Sequence, residues 1–160
     1  MTMLAISPLT AAAFAPFGDV LQVQAAPSVM INRGNCARYS DLAGLDFSDG
    51  RAGISVFHAK PYRSPLLLDM MERHPQGSQA FIPMSDDPFL VIVAPDNDGK
   101  PGLPQVFETD GLQGVNYHRN VWHGVLTPIR GNGLFTVVDR IGSGSNLEEH
   151  WLDSAYQILF

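Results

Sequence analysis

Short apolar runs alternate with turn-forming segments along most of the chain. Pro, Gly, Asn and Asp concentrate between the runs, as in Pro75–Gly77 and Pro95–Gly99, and these residue types favour turns. Many short strands at close spacing predict an all-β sandwich or barrel of antiparallel strands. A parallel α/β fold would need a helix-length amphipathic segment between successive strands, and the sequence offers none. The runs predicted as strands are Asp19–Gln24, Gly53–His58, Leu66–Arg73, Gln79–Met84, Phe89–Ala94, Gln105–Thr109, Val115–Tyr117, Val121–Leu126, Gly133–Arg140 and Ala155–Leu159.

The best helix signal is a short one near the N-terminus, at Thr10–Phe14. Thr10 suits the N-cap position, and Pro16 and Gly18 end the segment. Hydrophobic residues make up 45% of the 160 residues, enough for a sizeable core, while 15 Gly and 12 Pro favour frequent turns over a helical bundle. Because no repeat or linker-like composition break interrupts the chain, we predict a single domain over residues 1–160.

The charge balance narrows the class of partner. Ten basic residues against sixteen acidic ones give a net charge of −6, which disfavours nucleic acid and anionic membrane but still allows a small anionic substrate. Cys36 is the only cysteine, so an intramolecular disulfide is excluded. The longest apolar run, Phe89–Ala94, is too short to span a bilayer, and the N-terminus lacks the features of a signal peptide. We therefore expect a soluble, cytoplasmic protein.

One predicted strand ends in polar residues that should face inward. Glu72 and His74 are two positions apart, so on a strand they share a face with the apolar side chains of Leu68 and Met70. In a core, a carboxylate and an imidazole are costly unless they pair, bind a metal or react. A strand edge open to water is the ordinary alternative. Gln79 opens the next strand, and a hairpin would bring it back beside His74.

Residues 115–123 hold the densest group of functional side chains. His118 and His123 are five positions apart, so neither a helical turn nor one strand face joins them, and a metalloprotease-type helix is excluded. If Arg119 lies in a turn, His123 begins a new strand and faces the same interior as His74, with His118 at the rim. The ordinary alternative is a polar surface loop, although loops that gather such residues tend to carry function.

Two of these stretches resemble signature segments of a known family. Residues 72–83 (ERHPQGSQAFIP) and 114–123 (GVNYHRNVWH) resemble those of ureidoglycolate lyases, formerly called ureidoglycolate hydrolases. The similarity runs over most of the chain, and the two long motifs are highly specific. Further matching segments are residues 31–34 (INRG), 38–43 (RYSDLA), the strand near Ala52–Pro61, and 137–140 (VVDR).

The resemblance implies a cupin-like antiparallel barrel of the jelly-roll type with one or two short helices, assembled as a homodimer. The activity that it implies is lyase cleavage of (S)-ureidoglycolate to glyoxylate and urea, late in allantoin and purine breakdown. It also implies a divalent metal, with nickel as the suspected ion. The wider cupin pattern binds metal through His-x-His-x4-Glu and a later His; here Glu72, His74 and Gln79 occupy the first set, and His123 occupies the last. Glu and Gln replace a His and a carboxylate, so the ligand set departs from that pattern.

Breaking the C–N bond of ureidoglycolate requires removal of the hydroxyl proton and protonation of the departing nitrogen, without a nucleotide or redox cofactor. We predict His74 and His123 at the reacting centre, as metal ligands or as acid and base. Glu72 would bind the metal or orient a histidine, and Gln79 would contact the urea group or serve as a weak ligand.

The substrate carboxylate calls for a fork of donors, which Arg38 or Arg119 could supply. Asn116 and His118 complete the predicted substrate-binding set. Two other classes stay open: a different cupin-type metal-dependent enzyme acting on a small carboxylic acid, and a non-catalytic barrel that binds a small molecule. Product analysis separates the first class from a lyase, and ligand binding without turnover identifies the second.

Overall fold

The computed structural model describes residues 1–160 and confirms an all-β fold. The only α-helix, α1 (Ala11–Phe14), begins after Thr10, whose side chain accepts a hydrogen bond from the Ala13 N–H as the N-cap prediction requires. No helix is long and apolar enough to cross a membrane. A 3-10 turn spans Asn32–Gly34, and the strands are β1 (Thr2–Leu4), β2 (Ile6–Pro8), β3 (Gly18–Leu21), β4 (Val29–Ile31), β5 (Cys36–Arg38), β6 (Arg51–His58), β7 (Leu66–Arg73), β8 (Gln79–Pro83), β9 (Phe89–Ala94), β10 (Asp96–Asn97), β11 (Lys100–Pro101), β12 (Gln105–Glu108), β13 (Gly114–Tyr117), β14 (Trp122–His123), β15 (Thr127–Pro128), β16 (Leu134–Ile141) and β17 (Glu148–Ile158).

Two sheets form the body of the molecule. The first has the order β1-β17-β7-β14-β9-β12-β2, with β15 also paired to β9, and the second has the order β3-β13-β8-β16-β6. A cluster of buried apolar side chains fills the space between them, with Val91 and Val93 contributed by the first sheet and Phe81, Val115 and Val137 by the second. The result is a nearly closed, cupin-like barrel.

The first sheet also buries its other face. Leu90 and Ile92 alternate with Val91 and Val93 along β9, so they point away from the barrel interior and pack in a second cluster with Trp122. A strand buried on both faces reads as a continuous apolar run in the sequence, which is why β9 could be predicted with its correct ends.

The C-terminal half of the strand prediction needs two corrections. The run predicted as Val121–Leu126 is a strand only at Trp122–His123, because Gly124 turns against β9, where its N–H bonds to the carbonyl of Ile92. The strand predicted as Ala155–Leu159 instead extends over Glu148–Ile158. Its polar first half gives no apolar signal and is held in place by pairing with β7.

The alternation expected along β7 is also interrupted. Leu68 packs in the second cluster together with Met71, although the two residues are three positions apart. The partner strand β17 carries a register shift between Trp151 and Tyr156, directly across from this part of β7. Leu68 therefore does not share the inward face with Glu72, as simple alternation predicted.

Candidate active site

Three potential metal ligands meet at one end of the barrel. Glu72 at the end of β7 lies directly opposite His123 of β14 in the strand register. His74 follows β7, and its ring centroid is 5.1 Å from that of His123. One ligand atom from each of Glu72, His74 and His123 falls within 4.8 Å of the others. The local cause is the end of β7 together with the short strand β14, which place the three side chains on one inward face.

Backbone carbonyls set the protonation of both imidazole rings. His74 Nδ1 lies 2.7 Å from the carbonyl oxygen of Asn146, and His123 Nδ1 lies 2.8 Å from that of Gly124. Because a carbonyl oxygen can only accept, each Nδ1 carries the proton and donates it, which leaves a lone pair on each Nε2. Both Nε2 atoms are buried and have no hydrogen-bond partner.

Burial shifts the pKa values of two residues of the cluster. Burial, together with the neighbouring His74, lowers the pKa of His123 to about 3, although the bond to the Gly124 carbonyl acts in the opposite sense. His123 is therefore neutral at physiological pH. Burial also raises the pKa of Glu72 above the usual carboxyl range, as does Glu149, whereas His74 lowers it.

The donor set fits a divalent metal ion. Two imidazole nitrogens and one carboxylate oxygen suit borderline cations such as zinc or nickel, and catalytic sites commonly use three protein ligands and keep a position free for substrate. Unpaired buried nitrogens are expensive unless something binds them. The Nδ1–H bonds to backbone carbonyls are the kind of outer contact that orients histidine ligands in metal sites.

The second sheet brings further polar groups to the same end of the barrel. Tyr117 of β13 stacks on His123 with ring centroids 4.4 Å apart and nearly parallel planes. Burial raises the pKa of the Tyr117 phenol, as does the charge of Glu72, so the phenol stays protonated. Gln79 lies opposite Tyr117 in the register and shares its inward face. Its amide nitrogen donates to Asp139 Oδ2 at 3.1 Å, and its Oε1 is buried without a partner.

Sequence reasoning did not single out Tyr117 or Asp139 as site residues. The signal was the alternation of each strand: Val115 faces the core two positions before Tyr117, and Val137 does so two positions before Asp139. Without the register, an aspartate near the end of an apolar run looks like an ordinary exposed residue. Only the pairing of β16 with β8 brings Asp139 beside Gln79.

Two members of the predicted substrate-binding set lie away from the inward cluster. Asn116 alternates with Tyr117 on β13, so its side chain is on the opposite face, where Nδ2 donates to Asp19 Oδ2 and to the carbonyl of Gly44. His118 is exposed at the rim, with Nε2 3.2 Å from the same Asp19 oxygen.

The two arginine candidates have different surroundings. Arg119 donates from Nε to the carbonyl oxygen of Pro75 at 2.7 Å, which holds it beside His74 at the rim. Its Nη1 lies 3.8 Å from Asp46. Arg38 lies on the β4–β5 hairpin, where every residue from 36 to 38 is exposed and the strands pair only with each other. Of the two, Arg119 is the one next to the cluster.

Comparison with known proteins gives one consistent answer. A family model described as ureidoglycolate lyase matches residues 1–159. Among curated relatives, "Ureidoglycolate lyase 2" of Rhizobium meliloti (strain 1021) is 53% identical over 160 residues, covering 99% of this chain and 98% of the relative. "Ureidoglycolate lyase" of Rhodobacter capsulatus is 56% identical over 151 residues, covering 94% of each chain. A protein of the same name from Pseudomonas paraeruginosa is 49% identical over 162 residues, covering 99% of this chain and 96% of its own. The chain belongs to the ureidoglycolate lyase family.

Proposed function

We propose that this protein is a ureidoglycolate lyase that cleaves (S)-ureidoglycolate to glyoxylate and urea during allantoin breakdown. The observation that carries the proposal is the inward cluster of Glu72, His74 and His123, in which both imidazole Nε2 atoms are buried and free to bind. Family membership supports the substrate, and the match over residues 1–159 supports one catalytic domain.

The reaction is an elimination at a single carbon, which carries a hydroxyl, a carboxylate and a urea nitrogen. The C–N bond breaks and its electron pair goes to nitrogen, while the hydroxyl loses its proton and becomes the carbonyl of glyoxylate. One proton leaves oxygen and one reaches nitrogen, so atoms balance without water or a redox partner.

Glu72, His74 and His123 would hold a divalent ion, with nickel as the proposed metal. Bound there, such an ion acidifies a substrate hydroxyl and stabilises the oxyanion that develops on it. Glu72 Oε1 lies 4.0 Å from His74 Nε2, so the carboxylate belongs to the same cluster as the imidazoles. We assign to the carboxylate's second oxygen the transfer of the hydroxyl proton to the departing nitrogen.

Other residues of the same end position the substrate. The free Oε1 of Gln79 would accept a hydrogen bond from the urea group. Arg119, held beside His74 through the carbonyl of Pro75, would bind the substrate carboxylate, in preference to Arg38 on the exposed β4–β5 hairpin. Asn116 and His118 would support the rim through their shared contact with Asp19 rather than touch the reacting carbon.

The nitrogen product tests this function. Purified protein loaded with Ni²⁺ and given (S)-ureidoglycolate should release urea, so ammonia appears only after urease is added. Glyoxylate should form in equal amount. Ammonia at full yield without urease would show that the enzyme hydrolyses the urea carbonyl, and the lyase proposal would be wrong.

We further propose that the enzyme acts as a cytoplasmic homodimer on a small-molecule substrate. Ile54 and Val56 are 77% and 62% exposed on the edge strand β6, an apolar surface that a second copy could cover. The exposed thiol of Cys36 agrees with a reducing compartment. The net charge of −6 agrees with a partner other than nucleic acid. Sedimentation at micromolar concentration should give twice the monomer mass, and a monomer would contradict the assembly.

A further inference from the structure

The buried Gln79 pairs with the half-buried Asp139, and the pairing leaves one amide atom without a partner. Gln79 is 6% exposed and donates from Nε2 to Asp139 Oδ2 at 3.1 Å. Its Oε1 is buried and has no partner. Buried side-chain polar atoms are nearly always hydrogen-bonded, and this amide lies opposite Tyr117, which stacks on His123, so its free oxygen can accept from a ligand bound on the inward face.

The strand register makes Gln79 the natural partner of Asp139. Val138 pairs with Ala80 across β16 and β8, which brings Asp139 beside Gln79 at the ends of these two strands. On its other side Asp139 faces Gly53, which has no side chain to bind it. Asp139 makes its only side-chain hydrogen bond with Gln79.

The chemistry of this pair fixes which end of the amide faces the cluster. A carboxylate can only accept hydrogen bonds, so the NH₂ of Gln79 must turn toward Asp139. The opposite end, the carbonyl oxygen, must then point away from Asp139 and can only accept. A ligand group that meets it has to be a donor, and a hydroxyl or carbonyl acceptor in that place would leave the oxygen unsatisfied.

We propose that Asp139 is a positioning residue that locks the Gln79 amide so that its carbonyl oxygen selects the terminal NH₂ of a urea-bearing ligand. The inference rests on the proposed function, since ureidoglycolate ends in that group. It adds a reason why this site distinguishes a ureido group from a plain amide of equal size.

Two unreactive ligands of the same shape test the proposal. Ureidoacetate and N-acetylglycine both lack the hydroxyl, and they differ only in having NH₂ or CH₃ at the tested position. We expect the Ni²⁺-loaded wild-type enzyme to bind ureidoacetate at least about 10-fold more tightly, both as an inhibitor and by calorimetry, because N-acetylglycine leaves the amide oxygen unpaired.

Asp139→Asn should reduce this ratio to between about 1 and 3, since an asparagine can donate or accept and so no longer fixes the sense of the Gln79 amide. The loss should fall on ureidoacetate, with N-acetylglycine and Ni²⁺ affinity unchanged. Asp69→Asn, the same change at an exposed strand position, should keep the wild-type ratio. Gln79→Met should also abolish the ratio, and adding Asp139→Asn to it should change nothing further, because one residue acts through the other.

The proposal is overturned if Asp139→Asn keeps the ratio, if it weakens both ligands equally, if it lowers Ni²⁺ affinity, or if its effect persists in the Gln79→Met background. Urea release by the wild-type enzyme is measured separately. If the wild type releases no urea, the proposed function fails; if it releases urea while the ratio is 1, only the role of Asp139 and Gln79 fails.

Discussion

At the end of β7, neighbouring residues differ in whether their polar groups find partners within the protein. Arg73 faces outward, where Nε donates to Glu148 Oε2 at 2.6 Å and Nη1 donates to Asp96 Oδ1 at 2.9 Å. Its guanidinium also lies over the ring of Trp122 at 4.4 Å. On either side of it, Glu72 and His74 belong to the inward cluster, where His74 Nε2 is buried without a partner.

The difference separates a structural cluster from the proposed ligand site. On the outer face the protein itself supplies the acceptors, so the charged network is complete and holds β7, β17 and the β10–β11 hairpin together. On the inner face the protein orients the imidazoles through backbone carbonyls and then leaves their second nitrogens free. Desolvating such nitrogens is unfavourable, and a bound ion would recover that loss.

The strongest test of this contrast removes an inward imidazole. His123→Ala should lower kcat/KM for ureidoglycolate by about 10²- to 10⁴-fold, because it removes one of the three proposed metal ligands. His150→Ala is the matched control, since His150 packs edge-on against Trp122 outside the cluster. Its kcat/KM should stay within about 2-fold of wild type. Equal losses in the two variants would mean that the activity does not depend on the inward face.

Metal binding should appear as added stability. Ni²⁺ at 100 times its dissociation constant should raise the free energy of unfolding by about 2.7 kcal/mol, measured by urea denaturation. His123→Ala should lose this gain, whereas Arg73→Met should keep it. A gain of equal size in the His123 variant would place the ion elsewhere.

Breaking the outer network should affect stability alone. Arg73→Met removes two ion pairs with half-exposed acids and one cation–π contact, at a cost of about 1–2 kcal/mol in the free energy of unfolding. The methionine introduced at position 73 can still pack on Trp122. The metal-loaded variant should keep its Ni²⁺ affinity and turnover, measured well below its unfolding temperature. A large loss of Ni²⁺ affinity would show that the two faces are not independent.

The smallest effect is expected from Asp96, the acidic partner of Arg73 in the outer network. The N–H of Gly99, the indole of Trp122 and the guanidinium of Arg73 hold the pKa of Asp96 below its usual value of 3.8. Because the folded state binds this proton less tightly, Asp96 stabilises the fold above pH 3.8, and the contribution is lost as the pH falls through the lowered value. Asp96→Asn should therefore flatten the fall in denaturation midpoint between about pH 5 and pH 2. An unchanged slope would exclude this contribution.

Much of the fold could be predicted from local pattern. The strands Leu66–Arg73 and Phe89–Ala94 match their predicted ends, because turn residues bound both runs. The longer C-terminal strand could not be predicted, since the pairing of Glu148 with Arg73 depends on a residue 75 positions away. Strand register is a non-local property, and it is decided by packing rather than by propensity.

The candidate site shows the same contrast between local pattern and non-local pairing. Glu72, His74 and His123 share an inward face after short-range turns, and the sequence indicated their convergence. Asp139 meets Gln79 from 60 positions away, and Tyr117 stacks on His123 across the two sheets. Neither contact leaves a spacing pattern in the sequence. The roles of all these residues stay predictions until they are measured.

A crystal structure of the enzyme with Ni²⁺ and ureidoacetate tests the central claim most directly. We predict an anomalous scattering peak bound by Nε2 of His74, Nε2 of His123 and the Glu72 carboxylate at about 2.0–2.2 Å. The urea end of the ligand should then lie toward Gln79. A saturated crystal in which the ion binds elsewhere, with both Nε2 atoms still unpartnered, would contradict the account.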